Sequence, residues 1–189
     1  MTGSSPVCTI RSKTKAGLGG QIEDETGVDW LHMRKRLITP TQQNIRTRSE
    51  GWLDIERAAV VEFTSEDPDY PIESAFVSGE TRGWRAAAPG MQTIPLIFDH
   101  PQNLRRISLM FEENETARTQ EFVLRWSADG ESPTKEIVRQ QWNFSPPETI
   151  REVEEYRVEL SGATAVELVI NPNIGDGRAR TSLKNFRLS

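Results

Sequence analysis

From Ala58 onward the apolar residues of this chain fall at every second position, in one short run after another, and that alternation constrains the fold more than any other feature. Val61 and Phe63 bracket Glu62; Ile94, Leu96 and Phe98 follow the same rule, as do Ile107, Leu109 and Phe111. The pattern returns in Phe122, Leu124 and Trp126, in Tyr156, Val158 and Leu160, in Val166, Leu168 and Ile170, and in Phe186 and Leu188. Successive side chains of a strand point to opposite faces, so each run predicts a strand with one buried side. No helical stripe interrupts the series. Turn-forming clusters separate the runs: Asp67-Pro68-Asp69-Tyr70-Pro71, Ala88-Pro89-Gly90, Ser127-Ala128-Asp129-Gly130, Ser145-Pro146-Pro147, and Asn171-Pro172 through Gly177. Many short strands with such punctuation predict an all-β antiparallel sandwich or barrel. No fixed-period repeat points to a propeller or solenoid.

Residues 1–50 read differently. The first 25 are rich in Gly, Ser, Thr and Lys and show no apolar period. Thr26-Gly27-Val28-Asp29 resembles a capping box, and Trp30, Met33 and Leu37 follow at helical spacing, which predicts one short helix near 28–38. Pro40 stops it. Residues 1–48 hold eight Lys or Arg against four Asp or Glu, while the remainder holds fifteen against twenty-four. A basic arm therefore precedes an acidic domain, expected at 51–189. Such an arm can dock on its own domain, remain solvated or reach an acidic partner. The formal net charge of −5 argues against a nucleic-acid binder, because phosphate neutralisation needs clustered cations.

At 189 residues the chain has room for one well-cored domain and an appendage. Its longest apolar runs, Ala58 to Val61 and Ile94 to Phe98, fall far short of the roughly 20 residues a membrane span needs. Met1 to Gly20 carries no apolar stretch suited to an export signal, so a soluble, cytoplasmic setting is the expectation. Cys8 is the lone cysteine and cannot form an intramolecular disulfide.

The order of several segments resembles that of discoidin (coagulation-factor C-type) domains, of the galactose-binding-domain-like superfamily. The segments are Ile72 to Ala75, Gly83-Trp84-Arg85-Ala86, Gln92 to Asp99, Arg106 to Phe111, Glu121 to Gly130, Ala165 to Ile170, and Ser182 to Leu188. The resemblance covers roughly residues 52–189. It implies an antiparallel jelly-roll β-sandwich whose end loops bind a ligand, often a sugar, without catalysis; bacterial intracellular chains of this kind tend to be described as carbohydrate-binding. Many members hold a structural calcium ion with an Asp-Gly pair, a Thr and a Glu. The corresponding positions here are Ser78-Gly79, Arg82 and Asn185, which removes both negative charge and oxygen ligands, so no tight calcium site is expected. By analogy within the family, an intracellular protein- or nucleic-acid-interaction scaffold using the basic arm is the alternative.

Sugar recognition needs an aromatic surface for the C–H patches of a ring and forked donors or amides for its hydroxyls. Trp142-Asn143-Phe144, read as a loop before the Pro146-Pro147 turn, offers all but the forked donors in three residues; the competing reading makes Trp142 or Phe144 core. Arg82 and Arg85 flank Trp84 and supply forks. Tyr70 and Arg139 are weaker candidates, while Trp84 and Trp126 read as core. The acidic loop Glu66, Asp67, Asp69 reads as a solvated connection.

Catalysis finds little support, and neither enzyme activity, cofactor nor metal is expected. His32 is isolated, and His100 reads as part of a turn. The pairs Glu112-Glu113 and Glu154-Glu155 are adjacent, which on a strand sends them to opposite faces, so they read as surface charge. The expected partner is a carbohydrate or other small polar ligand, with no membrane, and with a protein partner conceivable through the arm.

Overall fold

A computed structural model describes residues 51–189, apart from Glu80, Glu131, Ser132 and Gly177. The expected arm and its helix near 28–38 lie outside the described residues.

A one-turn helix, α1 (Ile55–Ala58), leads into β1 (Ala59–Val61), and a 3-10 turn (Ile72–Ala75) precedes β2 (Trp84–Pro89). Then come β3 (Gln92–Glu112), β4 (Arg118–Ser127), β5 (Lys135–Phe144), β6 (Arg151–Asn171), β7 (Arg180–Leu183) and β8 (Asn185–Leu188). All strand pairs are antiparallel.

Two 21-residue strands organise the molecule. β3 and β6 pair along nearly their whole length, but their register slips between Ile97 and Arg106. An extra residue in a ladder bends the strand and increases its twist. On one side of the slips, Gln92 to Ile97 pairs with Ala165 to Ile170, and this half carries β1, β4 and β5 in the order β1-β3-β6-β4-β5. On the other side, Arg106 to Glu112 pairs with Arg151 to Arg157 and carries β8. The halves face one another across the core: Phe111 of the second half lies 5.1 Å from Phe122 of the first, and Phe122 lies 6.5 Å from Tyr156. The result is a jelly-roll β-sandwich, with β2 and β7 forming a separate two-stranded sheet.

The alternating runs supply the core. Ile94, Leu96, Ile107, Leu109, Phe111, Leu124, Val166, Leu168, Ile170, Phe186 and Leu188 are fully buried. Burying side chains of this size is worth roughly 1.5–3 kcal/mol each. Trp84 and Phe144 are buried too, and Trp126 packs half-buried on the cluster.

Four local expectations need correction. Trp142-Asn143-Phe144 is not a loop but the end of β5. The alternation that would have revealed this strand is broken by Gln140, which pairs with Phe122 on the half-buried side of an edge strand, where the inner face need not be apolar throughout. His100 sits not in a turn but inside β3, at the register slip. Phe63 shares the inward side with Val61, yet lies past the end of β1 and is 40% exposed over an apolar groove. Glu112, Glu113 and Glu154 are half-buried rather than surface charge; Glu155 is exposed.

Candidate functional site

Where β2 and β7 meet the β3–β4 turn, a cleft of about 420 Å³ opens, bordered by Tyr70, Arg82, Arg85, Asn114, Ser182 and Lys184. Its floor is Trp84 and Leu183, which face each other across the β2-β7 pair. A second hollow of about 240 Å³ continues past Thr116 to Arg178 and Arg180, sharing Arg85, Glu112, Asn114 and Ser182 with the first.

Backbone geometry fixes the cleft's walls. Gly83 adopts φ +72°, and a Cβ there would stand 2.7 Å from the Leu183 carbonyl oxygen and 2.8 Å from the Lys184 Cα. Only glycine allows β2 to approach the β7–β8 corner this closely, and that approach sets Arg82 and Trp84 on either side of it. Arg85 then clamps the neighbouring loop: its carbonyl accepts the Asp67 N–H at 2.9 Å, and its own N–H donates to the Tyr70 carbonyl at 3.2 Å. The clamp brings Tyr70 under the Arg85 guanidinium, 4.5 Å from the ring centroid. A guanidinium so placed is attracted by the ring's negative face.

The acidic loop is committed to bracing. Glu66 accepts the Ile72 N–H at 2.6 Å, Asp67 accepts the Asp69 N–H at 3.1 Å, and Asp67 also pairs with Arg180 at 3.5 Å. On the opposite wall Glu112 faces Lys184 at 3.6 Å and Arg151 at 3.5 Å, and accepts from the Asn114 amide at 3.2 Å. Burial works to raise its pKa, but the Asn114 hydrogen bond and the two cations outweigh it and hold the carboxyl below the usual range. Beneath the β3–β4 turn, Arg118 pairs with Glu113 at 2.9 Å and donates to the Arg180 carbonyl at 2.6 Å, tying the turn to β7. Its guanidinium is almost fully buried, and burial lowers its pKa despite the Glu113 charge.

Three of the six residues expected from sequence come together here: Tyr70, Arg82 and Arg85. The other three lie on β5 and line neither hollow. Arg139 spends its fork on Glu121 and Glu136, each at 2.9 Å. Trp142 turns inward and packs half-buried against the core, as its competing reading held; the Asn143 side-chain oxygen accepts from Thr119 at 2.6 Å. Asn114, Ser182 and Lys184 escaped the sequence reading. The available signal was the polar alternation of Ser182 and Lys184 about buried Leu183, which places both on the face opposite the core.

Two other concavities are chemically less suited to a sugar. A hollow of about 940 Å³ beside the slips in β3 is lined by Arg105, Arg106, Arg157 and Glu159 but by no aromatic ring. The groove of about 600 Å³ under Phe63 is dominated by Trp52, Phe76, Val77 and other apolar side chains.

At the positions where the resemblance implied calcium ligands, Asn185 donates its amide to the carbonyls of Ala75 (3.3 Å) and Val77 (3.4 Å). Two carbonyl acceptors of that loop are thus tied by a neutral donor. Among the described residues no group of three His, Cys, Asp or Glu could hold a metal, and no helix is long and apolar enough to cross a membrane.

The sequence matches no protein-family model and no curated protein sequence. Solved structures do match, and they define the fold as that of family 32 carbohydrate-binding modules, the discoidin or galactose-binding-like sandwich. One is a family 32 module of a Clostridium perfringens family 31 glycoside hydrolase: 20% identity, TM-score 0.53, covering 74% of this chain and 95% of that one. Another, a family 32 module from C. perfringens in complex with galactose, shares 12% identity at TM-score 0.50, over 69% of this chain and 92% of that one. A Ruminococcus gnavus family 29 fucosidase in complex with fucose matches over 69% of this chain but 25% of its own, at 11% identity and TM-score 0.51.

Proposed function

We propose that this protein is a non-catalytic carbohydrate-binding module that holds its ligand in the cleft between Tyr70, Arg82 and Arg85. The observation that carries this reading is the combination in one concavity of an aromatic ring, two forked cations, an amide and a hydroxyl, from Tyr70, Arg82, Arg85, Asn114 and Ser182. These are the groups a pyranose asks for: a ring surface for C–H patches and directional partners for hydroxyls. The likeness to sugar-binding modules along more than nine-tenths of their length supports the same reading.

The cleft's chemistry favours binding over hydrolysis. Glycoside hydrolysis calls for two carboxyl groups, one kept protonated to act as acid. Glu112 is held in its ionised form by Asn114, Lys184 and Arg151, so it serves as an acceptor rather than as an acid. A sandwich resting on its apolar core, with one cysteine in the chain, suits a reducing cytoplasm.

The test is saccharide titration followed by tryptophan fluorescence, Trp84 being the floor of the cleft. Saturable binding of a mono- or oligosaccharide that is lost in Tyr70→Ala supports the reading. Binding of unchanged affinity in Tyr70→Ala, or no response to any saccharide at millimolar concentration, refutes it.

A further inference from the structure

The cleft is cationic on an acidic protein. The two hollows together are lined by five cations, Arg82, Arg85, Arg178, Arg180 and Lys184, against three carboxylates, Glu112, Glu113 and Glu115, while the chain as a whole carries a formal charge of −5. Two of the three carboxylates are already engaged. Glu112 is shared between Lys184 and Arg151, and Glu113 is taken up by buried Arg118.

With Lys184 paired to Glu112 and Arg180 to Asp67, three guanidiniums remain, Arg82, Arg85 and Arg178, of which the first two border the cleft with Tyr70. Among the described residues, Arg82 and Arg85 make no ion pair, and Arg85 rests on the Tyr70 ring. Three arginine forks elsewhere are satisfied: Arg139 by two carboxylates, Arg125 by Glu167 and Arg118 by Glu113 and a carbonyl. Arg85 is half-buried and its charge works against that of Arg118 behind it. A half-buried cation that makes no ion pair of its own and has another cation behind it gains from a bound anion. A concave wall also focuses the field of its charges toward an incoming ligand.

We infer that the cleft selects an acidic saccharide, whose carboxylate or sulfate group is received by the Arg82 and Arg85 guanidiniums beside Tyr70. The inference rests on the reading of this cleft as a saccharide site and adds the charge of its ligand. Guanidiniums present paired N–H donors that match the oxygens of a carboxylate or sulfate, and hydrogen bonds to charged groups are worth about 1.5–3 kcal/mol. Converted at ~1.4 kcal/mol per factor of ten, that is a preference of about ten- to a hundredfold over a neutral isostere.

The experiment compares three probes by calorimetric titration of the full chain: tri-galacturonic acid, its fully methyl-esterified form and a sulfated galactan oligosaccharide. The acid should bind at least about tenfold more tightly than the ester, and its affinity should fall with added salt. Arg82→Ala should erase the preference, weakening the acid about tenfold more than the ester, and Arg82→Lys should restore part of it. Arg82 is exposed and unpaired among the described residues, so its removal leaves the fold intact; circular dichroism of the variant verifies this. Tighter binding of the sulfated probe than of galacturonate keeps the acidic-saccharide inference and names sulfate as the group received. Equal binding of acid and ester, unaffected by Arg82→Ala, overturns the inference while leaving the saccharide reading intact. Failure of every probe and of neutral sugars overturns both.

Discussion

Glu152 should make this protein less stable as the pH rises toward neutrality. It lies on β6 opposite Phe111, is 1% exposed, and neither of its carboxyl oxygens has a hydrogen-bond partner. Glu154, two residues along on the same side, accepts from the Tyr156 hydroxyl at 3.2 Å and adds a like charge. Burial first, and Glu154 second, push the Glu152 carboxyl up from 4.5 to about 7. Between those values the unfolded chain has released this proton and the folded chain retains it, so stability falls with pH. The contribution is fully present below pH 4.5 and is lost as pH rises through about 7. At ~1.4 kcal/mol for each pH unit, the interval from 4.5 to about 7 is worth at most about 3 kcal/mol. Glutamine keeps the shape and cannot ionise. Glu152→Gln should therefore match the wild type near pH 4.5 and exceed it by about 2–3 kcal/mol at pH 8. Urea denaturation at four or five pH values, read by far-ultraviolet dichroism, gives both curves. Parallel curves, with a difference that does not change with pH, would refute the reasoning and mean that water reaches the carboxyl.

Other substitutions probe the cleft and its supports. Tyr70→Ala should weaken saccharide binding about tenfold or more by removing the aromatic surface and freeing Arg85, with little change in urea midpoint. Gly83→Ala should cost more than about 2 kcal/mol, since it adds a left-handed conformational penalty to a clash with the Leu183 carbonyl; thermal denaturation measures it. Glu113→Gln should destabilise by about 3 kcal/mol in the same assay, because it strands the buried Arg118 charge. Arg139→Ala, with both of its carboxylate partners on the surface of the sheet, should leave saccharide affinity unchanged in the titration that responds to Tyr70→Ala.

The layers of the sandwich were legible because water enforces the period of two. Wherever a strand must bury one face, its sequence shows it, as Ile94, Leu96, Ile107 and Leu109 do. Edge positions escape that rule. β5 tolerates Gln140 on its inner side, and so its end carries too little apolar alternation to read as a strand. The cleft was half legible for a related reason. Arg82, Arg85 and Tyr70 lie within 16 residues of one another, and local chemistry pointed to them. Asn114 and Lys184 come from segments 30 and 100 residues away, brought in by the close approach at Gly83 and by the β3–β8 pairing. A long-range encounter of that kind leaves little trace in the order of residues. Glu152 was missed because it occupies an inward position as a charged residue, which an apolar pattern cannot register.

The register slips in β3 and β6 also bear on how the polypeptide acquires its shape during synthesis. Gln92 finds its partner at Ile170, so the central ladder cannot close until almost 80 further residues have been made. Strands that must wait for distant partners fold on the millisecond-to-second scale and expose unpaired edges meanwhile. Because both layers share the same two strands, neither can mature ahead of the other. A ribosome-stalled chain ending before β6 should therefore be protease-sensitive throughout, and protection should arrive in a single step once that strand emerges.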